Sequence, residues 1–298
     1  MTVTALSTTV SRFPRRRRSA RRNRPIELSG SFTHQGHRLH YTEYGSGPRV
    51  VVLMHGIMLT RRMHAPLARR LAREGFRVIT MDLLGHGESE RPPESWHYSM
   101  TAFGEQAIAL LDHLDIDQAV MGGTSLGANV SLEVAVAAPD RLHGMVVEMP
   151  VLDNAIVAGL LVFGPLLLAA RFVPISVRAV ALAASLVPHG SQWVDVVTDT
   201  LEQEPAGMAA LLHGVLFGRT APPKSIRKQI TVPTLVIGHQ GDPIHPFGDA
   251  DTLAADMPHA EFIQARSPVE LRMDPQRLST AIASFCGRCY EFDESQAV

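Results

Sequence analysis

The chain has 298 residues, 45% of them hydrophobic and 19% charged, with a formal net charge of −1. That balance suits one large buried core with room for an inserted subdomain and excludes a disordered chain. The near-neutral total hides an asymmetry, because eight arginines fall between Arg12 and Arg24 and the remainder is acidic.

Residues 1–25 have no apolar period and are expected to form a disordered basic tail. The arginine pairs there are followed by the polar stretch ELSGSFTHQG, so no export signal is read. SFTHQGHRLHYTEYG alternates polar and apolar residues around a glycine, as an antiparallel hairpin does. Residues 49–54 (RVVVLM) are a continuous β-branched run, the pattern of a strand buried on both faces. A helical pattern over 63–74 stops at Gly75, and residues 76–82 form the next strand, followed by the glycine-rich loop LLGHGES. Helical spacing returns over 101–114, then a strand over 118–123 and a helix over 126–138 closed by Pro139. Further strands are expected over 142–149, Thr234–His239 and Ala260–Ala265, with a closing helix over 274–287. This alternation predicts an α/β fold: a mainly parallel, doubly wound sheet with helices on both faces.

Residues 150–223 break the rhythm. AIVAGLLVFGPLLLAA (155–170) is uncharged but has only 16 residues, and Gly159, Gly164 and Pro165 interrupt it. A membrane span needs about 20. The segment is therefore expected to be a helical lid inserted over an apolar pocket, between core segments 26–149 and 224–289, with a short tail at 290–298. Cys286 and Cys289 form a C-x-x-C expected near the C-terminal end of the closing helix, where the helix dipole disfavours thiolate, so no redox role is assigned. Nothing implies disulfides, and a reducing cytoplasm is the expected location.

The chemistry centres on Gly123-Thr124-Ser125-Leu126-Gly127, between a strand and a helix. A sharp turn there raises the Ser125 hydroxyl above the sheet, and the small neighbours Gly123 and Gly127 let the turn close. The helix N-terminus directs N–H groups at the same point, so the Leu126 N–H is positioned for an oxyanion. No His/Asp/Cys cluster of metal-ligand spacing is seen, and no phosphate-binding glycine loop precedes a lysine; neither metal nor cofactor is expected.

With these motifs the sequence resembles the serine-nucleophile α/β-hydrolase superfamily over roughly residues 33–287. The resemblance implies that His55-Gly56 form the oxyanion loop beside the substrate, with the Ile57 N–H as second donor. It implies a structural role for Asp82-Leu83-Leu84-Gly85-His86-Gly87-Glu88-Ser89, which looks like the family's D-x-x-G-x-G-x-S turn. In GHQGDPIHP it places the triad acid at Asp242, with Pro246 also matching. It also implies a Gly-His pair after the last strand, and here the chain departs: Ser267 and Pro268 occupy those places.

Another base is therefore needed. Catalytic groups of a parallel sheet gather at the C-terminal strand ends. His143 and His259 begin strands, His189 and His213 fall in the lid, and His55 and His86 have loop-shaping duties. His245 and His239 remain. His245 lies three residues beyond Asp242 and is the favoured base, with Asp242 or Glu270 orienting its ring.

The favoured function is a serine hydrolase acting on an ester, thioester or lactone of a lipophilic small molecule, with Leu160, Phe163, Leu167 and Phe172 of the lid contacting its apolar part. The alternative from another class is a catalytically silent or non-hydrolytic protein of the same fold that binds a lipophilic ligand. A third reading is weak membrane-surface contact through the arginine-rich tail and apolar lid. No nucleic acid partner is expected, and the oligomeric state is left open.

Overall fold

A computed structural model describes residues 26–186, 198 and 204–294. The basic stretch 1–25, His189 and residues 295–298 lie outside them. The described strands form one eight-stranded sheet of order β1-β2-β4-β3-β5-β6-β7-β8. β1 (Glu27–His34) and β2 (His37–Tyr44) make the antiparallel hairpin. They turn at Gln35 and Gly36, both with positive φ. β2 pairs antiparallel with β4 (Arg77–Asp82). From β4 onward every pairing is parallel, through β3 (Val50–Met54), β5 (Ala119–Thr124), β6 (Leu142–Glu148), β7 (Thr234–His239) and β8 (Ala260–Ala265).

Continuous apolar strands are needed here because both faces of the sheet are covered. Alternate residues of β3 go to different cores. Val50, Val52 and Met54 pack with α2 (Met100–His113) and α3 (Leu126–Ala137). Val51 and Leu53 pack with Leu71 of α1 (Ala65–Arg73) and with Leu278 and Ile282 of the last helix, α10 (Gln276–Glu294). The two-residue period thus divides one strand between two cores.

Helix boundaries follow local chemistry. Ser99 caps α2 by accepting from the Ala102 N–H at 3.1 Å. Gly75 follows α1 with φ +89°, a conformation that favours glycine. The closing helix is longer than its pattern suggested, running to Glu294. Cys286 and Cys289 therefore lie within it, one turn apart on its buried face. Burial pushes both thiols up, Cys289 to about 12. They are packing groups: a Cβ on Gly144 of β6 would meet Cys289 Sγ at 2.5 Å.

Between β6 and β7 lie α4 (Ala155–Phe172), α5 (Pro174–Ser185), α6 (Pro205–Phe217) and α7 (Lys224–Arg227). α8 (Phe247–Asp256) follows β7, and the short α9 (Glu270–Met273) follows β8. α4 is a single helix despite Gly159, Gly164 and Pro165. Both flanks of this insertion are tied to α3 by Asn129. Its Nδ2 donates to the carbonyls of Val151 at 2.7 Å and Thr220 at 2.6 Å, and its Oδ1 accepts from the Val151 N–H at 3.1 Å. Asp249 of α8 secures the start of α4, accepting from Leu152 N (2.8 Å), Ala155 N (3.2 Å) and Asn154 Nδ2 (2.7 Å). The bond from Ala155 satisfies one of the N–H groups that a helix start leaves without intrahelical partners.

Candidate active site

Ser125 joins β5 to α3 with φ +55° and ψ −107°, a rare conformation for a residue with a side chain. The turn is held by Ser125 N–H donating to the Glu148 carbonyl (2.9 Å) and Gly127 N–H to the His55 carbonyl (3.1 Å). Both neighbouring glycines are required by contact: a Cβ on Gly123 or Gly127 would collide with the Met54 carbonyl oxygen. The hydroxyl is thereby fixed above the C-terminal edge of the sheet, at the start of α3.

The loop after β7 supplies its partner. His245 Nε2 lies 2.9 Å from Ser125 Oγ, and His245 Nδ1 lies 3.0 Å from Asp242 Oδ2. Ionised Asp242 only accepts, so Nδ1 carries the ring proton and Nε2 accepts from the serine hydroxyl. Asp242 also shapes the loop, because its Oδ1 accepts from Ile244 N (2.8 Å) and His245 N (2.9 Å). Burial works to raise the Asp242 carboxyl, but the hydrogen bonds from the His245 ring and backbone outweigh it and hold the group below its ordinary value.

Glu270 does not join this relay. Its oxygens are held by Arg277 (2.8 Å to each) and by the Arg266 N–H (2.5 Å). The Arg277 pairing holds its carboxyl low. Glu270 thus ties α9 to α10, and the carboxylate bonded to the His245 ring is that of Asp242. His239 is also turned elsewhere: its Nδ1 lies 2.8 Å from the Ser267 carbonyl and its Nε2 3.2 Å from Glu148 Oε1.

Three further histidines are scaffold. His55 is buried, donating from Nδ1 to the Gly56 carbonyl (2.8 Å) and accepting at Nε2 from Leu83 N–H (3.1 Å). With both nitrogens used internally it is not a ligand-facing group. Gly56 does lie beside Ser125, since a Cβ there would sit 3.8 Å from Ser125 Cβ. His86 packs against the His55 ring, and His64 Nε2 donates to the Met54 carbonyl at 2.9 Å. Burial lowers all three, His64 to about 3. The turn 82–89 closes on itself: Asp82 accepts from Arg61 N (2.6 Å) and Glu88 N (3.0 Å), while Ser89 Oγ donates to the Asp82 carbonyl (2.7 Å).

A buried ionic cluster behind the elbow was not read from the sequence. Arg272 of α9 donates to Glu148 Oε2 (2.6 Å) and Thr124 Oγ1 (2.7 Å), and Thr124 Oγ1 donates to Glu148 Oε2 (2.5 Å). Burial alone would raise Glu148, but Arg272 overrides it and holds the carboxyl far below the usual range. The available signal was Glu148 itself, a charge ending the apolar run 142–149. The segment with Pro268 in place of the expected histidine therefore reaches the elbow through Arg272.

Over Ser125 is a narrow pocket of about 60 Å³, lined by Ile57, Leu126 and His245 and by Ile156, Gly159 and Phe163 of α4. The four lid residues expected over the pocket lie in different places. Phe163 faces the pocket, whereas Leu167 packs on the core, Leu160 is outside the pocket lining and 38% exposed, and Phe172 is 74% exposed. Helical period explains this: Phe172 falls on the stripe of Val157, Leu161 and Leu168, opposite Phe163. Among the described residues, no group of three or more His, Cys, Asp or Glu is placed to hold a metal ion.

The model of the alpha/beta hydrolase fold matches residues 49–266. Bifunctional epoxide hydrolase 2 of Sus scrofa is 36% identical over 113 residues, 37% of this chain and 20% of that protein. Zearalenone hydrolase of Bionectria ochroleuca is 31% identical over 121 residues, 40% of this chain and 46% of that one. The matched region thus spans less than half the length of either relative. Among solved structures, a hydrolase from Pseudomonas aeruginosa superimposes with a TM-score of 0.72 at 24% identity, covering 87% of this chain and 98% of that one. The enol-lactonase from Burkholderia xenovorans gives 0.70 at 20% identity, covering 86% and 99%.

Proposed function

Because the chain belongs to the alpha/beta hydrolase fold family, we propose that it is a serine hydrolase cleaving an ester, thioester or lactone of an apolar small molecule. One observation carries this reading: Ser125, His245 and Asp242 form a hydrogen-bonded chain of 2.9 and 3.0 Å at the C-terminal edge of the sheet. A serine hydroxyl is a weak nucleophile until a neighbouring base takes its proton. Ser125 Oγ attacks the substrate carbonyl carbon as its proton passes to His245 Nε2. The imidazolium is stabilised by Asp242, and the carbonyl electron pair moves to oxygen. The Leu126 and Ile57 N–H groups receive that oxyanion, each such donor being worth about 3 kcal/mol in the transition state. Collapse breaks the bond to the alcohol or thiol, which leaves with the proton from His245. Water then enters, gives its proton to His245 and its oxygen to the acyl carbon, and Ser125 Oγ is released with the proton returned.

The curated relatives include hydrolases of unlike substrates by name, so the ester class rests on the nucleophile. A hydroxyl at the elbow forms an acyl intermediate from a carbonyl substrate. The pocket's apolar α4 residues support a lipophilic group near that carbonyl. A fluorophosphonate probe tests the proposal directly. Labelling of the wild type, abolished in Ser125→Ala and strongly slowed in His245→Ala, is expected. No labelling, together with no turnover of short nitrophenyl esters, would overturn it in favour of a ligand-binding protein.

A further inference from the structure

We propose that the outer face of α4 and α5 docks on an anionic membrane surface and that lipophilic substrate reaches Ser125 from that surface. The docking is independent of the hydrolase reading; the delivery of substrate rests on it.

α4 has two apolar faces with different fates. Its inner residues Ile156, Gly159 and Phe163 cover the pocket above Ser125. Its outer stripe is presented to solvent, Leu161 being 73% and Phe172 74% exposed, and α5 extends it with Ile175 at 80% and Leu182 at 67%. A soluble helix normally turns such a stripe inward, and a contiguous patch of this kind marks a binding surface.

Charge indicates the occupant. No aspartate or glutamate occurs from residue 154 to residue 194. Arg171, ending α4, and Arg178 in α5 are both exposed at the patch, Arg178 making only a loose 3.4 Å pair with Glu204. Large apolar side chains flanked by cations, on helices that carry no carboxylate of their own, match a bilayer interface with anionic headgroups. The eight arginines between Arg12 and Arg24 have the same sign.

α4 is also long and apolar enough, by length and composition, to cross a membrane. Its attachments argue for lying on the surface instead. Asp249 holds its N-terminal end, and Ala155 and Ala170 are buried against the body of the protein. The small pocket beneath gives the contact a purpose. A volume of about 60 Å³ is well below the roughly 300 Å³ of typical small-ligand sites. A shift of α4 would enlarge the space over Ser125 for a bulkier substrate, and a lipid surface that accepts its outer face favours the shift.

The test uses full-length protein and vesicles of phosphatidylcholine with or without phosphatidylglycerol. Co-flotation with the anionic vesicles is expected, together with a drop of about tenfold in the paired variant Leu161→Glu/Leu182→Glu and a smaller drop in Leu161→Asn/Leu182→Asn. Ser125→Ala must float as the wild type does, so that a failed hydrolase reading would leave docking intact. Unchanged flotation of the Glu pair, as binding through residues 1–25 alone would give, overturns the proposal. So does a dimer of the wild type that the Glu pair dissociates. For delivery, the Glu pair should lose about tenfold of its rate on a long-chain ester embedded in vesicles while hydrolysing a short soluble ester within twofold of wild type. Equal losses on both substrates would overturn delivery.

Discussion

Asp242 and His245 lie three residues apart on one loop, and the carboxylate that holds the ring at 3.0 Å also accepts the backbone N–H of His245 at 2.9 Å. Carboxylate and imidazole are thus positioned by a single turn, and that turn carries the ring to Ser125 from the loop after β7. Asp242→Asn separates these two duties. The amide oxygen can keep the backbone bonds, but an amide N–H facing the ring favours the wrong tautomer. The expected result is a fall in kcat on the order of 10³–10⁴-fold with folding retained. Near-normal turnover of the Asn variant would remove Asp242 from the relay.

Glu270→Gln should behave in the opposite way. The side chain pairs with Arg277 and the Arg266 backbone, so the labelling rate should stay within about twofold of wild type while the melting temperature falls, as broken ion-pair networks do. A large kinetic loss with unchanged stability would restore it as a partner of His245.

The elbow rests on the Arg272–Glu148–Thr124 cluster, and removing one charge strands the other in a buried site. Arg272→Met is expected to cost about 3–5 kcal/mol, measured by chemical denaturation. Adding Glu148→Gln should recover part of the loss, since no unpaired charge then remains. A double-mutant cycle with no coupling would show that the pair does not act together.

The sheet was legible because its strands are buried on both faces and leave an unbroken apolar signal in runs such as 49–54. The tight turn at Ser125 was legible because Gly123 and Gly127 are forced by backbone contacts local to it. Glu148, Arg272 and Thr124 were not, because residues from β6, α9 and β5 meet only through the order of strands in the sheet. The misplacement of Phe172 has a different origin. An apolar helix with two apolar faces has no hydrophobic side to indicate which way it turns.

Acid sensitivity follows from the buried histidines. His55, His64 and His86 have folded pKa values lowered by burial, His64 to about 3. Below an unfolded value of about 6.5 the unfolded chain binds these protons and the folded chain does not. Stability is therefore lost as pH falls from about 6.5 toward 3, by about 1.4 kcal/mol per pH unit for each histidine that stays neutral. His64→Gln should flatten the dependence of melting temperature on pH between 6.5 and 4. An unchanged slope would exclude His64 as a contributor.

Ser125 is held at φ +55°, a conformation that costs a residue with a Cβ roughly 1–3 kcal/mol and glycine far less. Ser125→Ala removes the hydroxyl and its bond to His245 but keeps the Cβ and the strain. Ser125→Gly removes hydroxyl and strain together. Both variants should be inactive toward esters, yet the Gly variant should melt above the Ala variant by about 2–4 °C for each kcal/mol relieved. Glycine's greater freedom in the unfolded chain opposes this by roughly 0.5–1 kcal/mol, so the gain measures strain in excess of that entropy. A Gly variant melting no higher than the Ala variant would mean that the turn, with its glycine neighbours and the Glu148 carbonyl bond, holds the serine with no more strain than that roughly 0.5–1 kcal/mol of entropy.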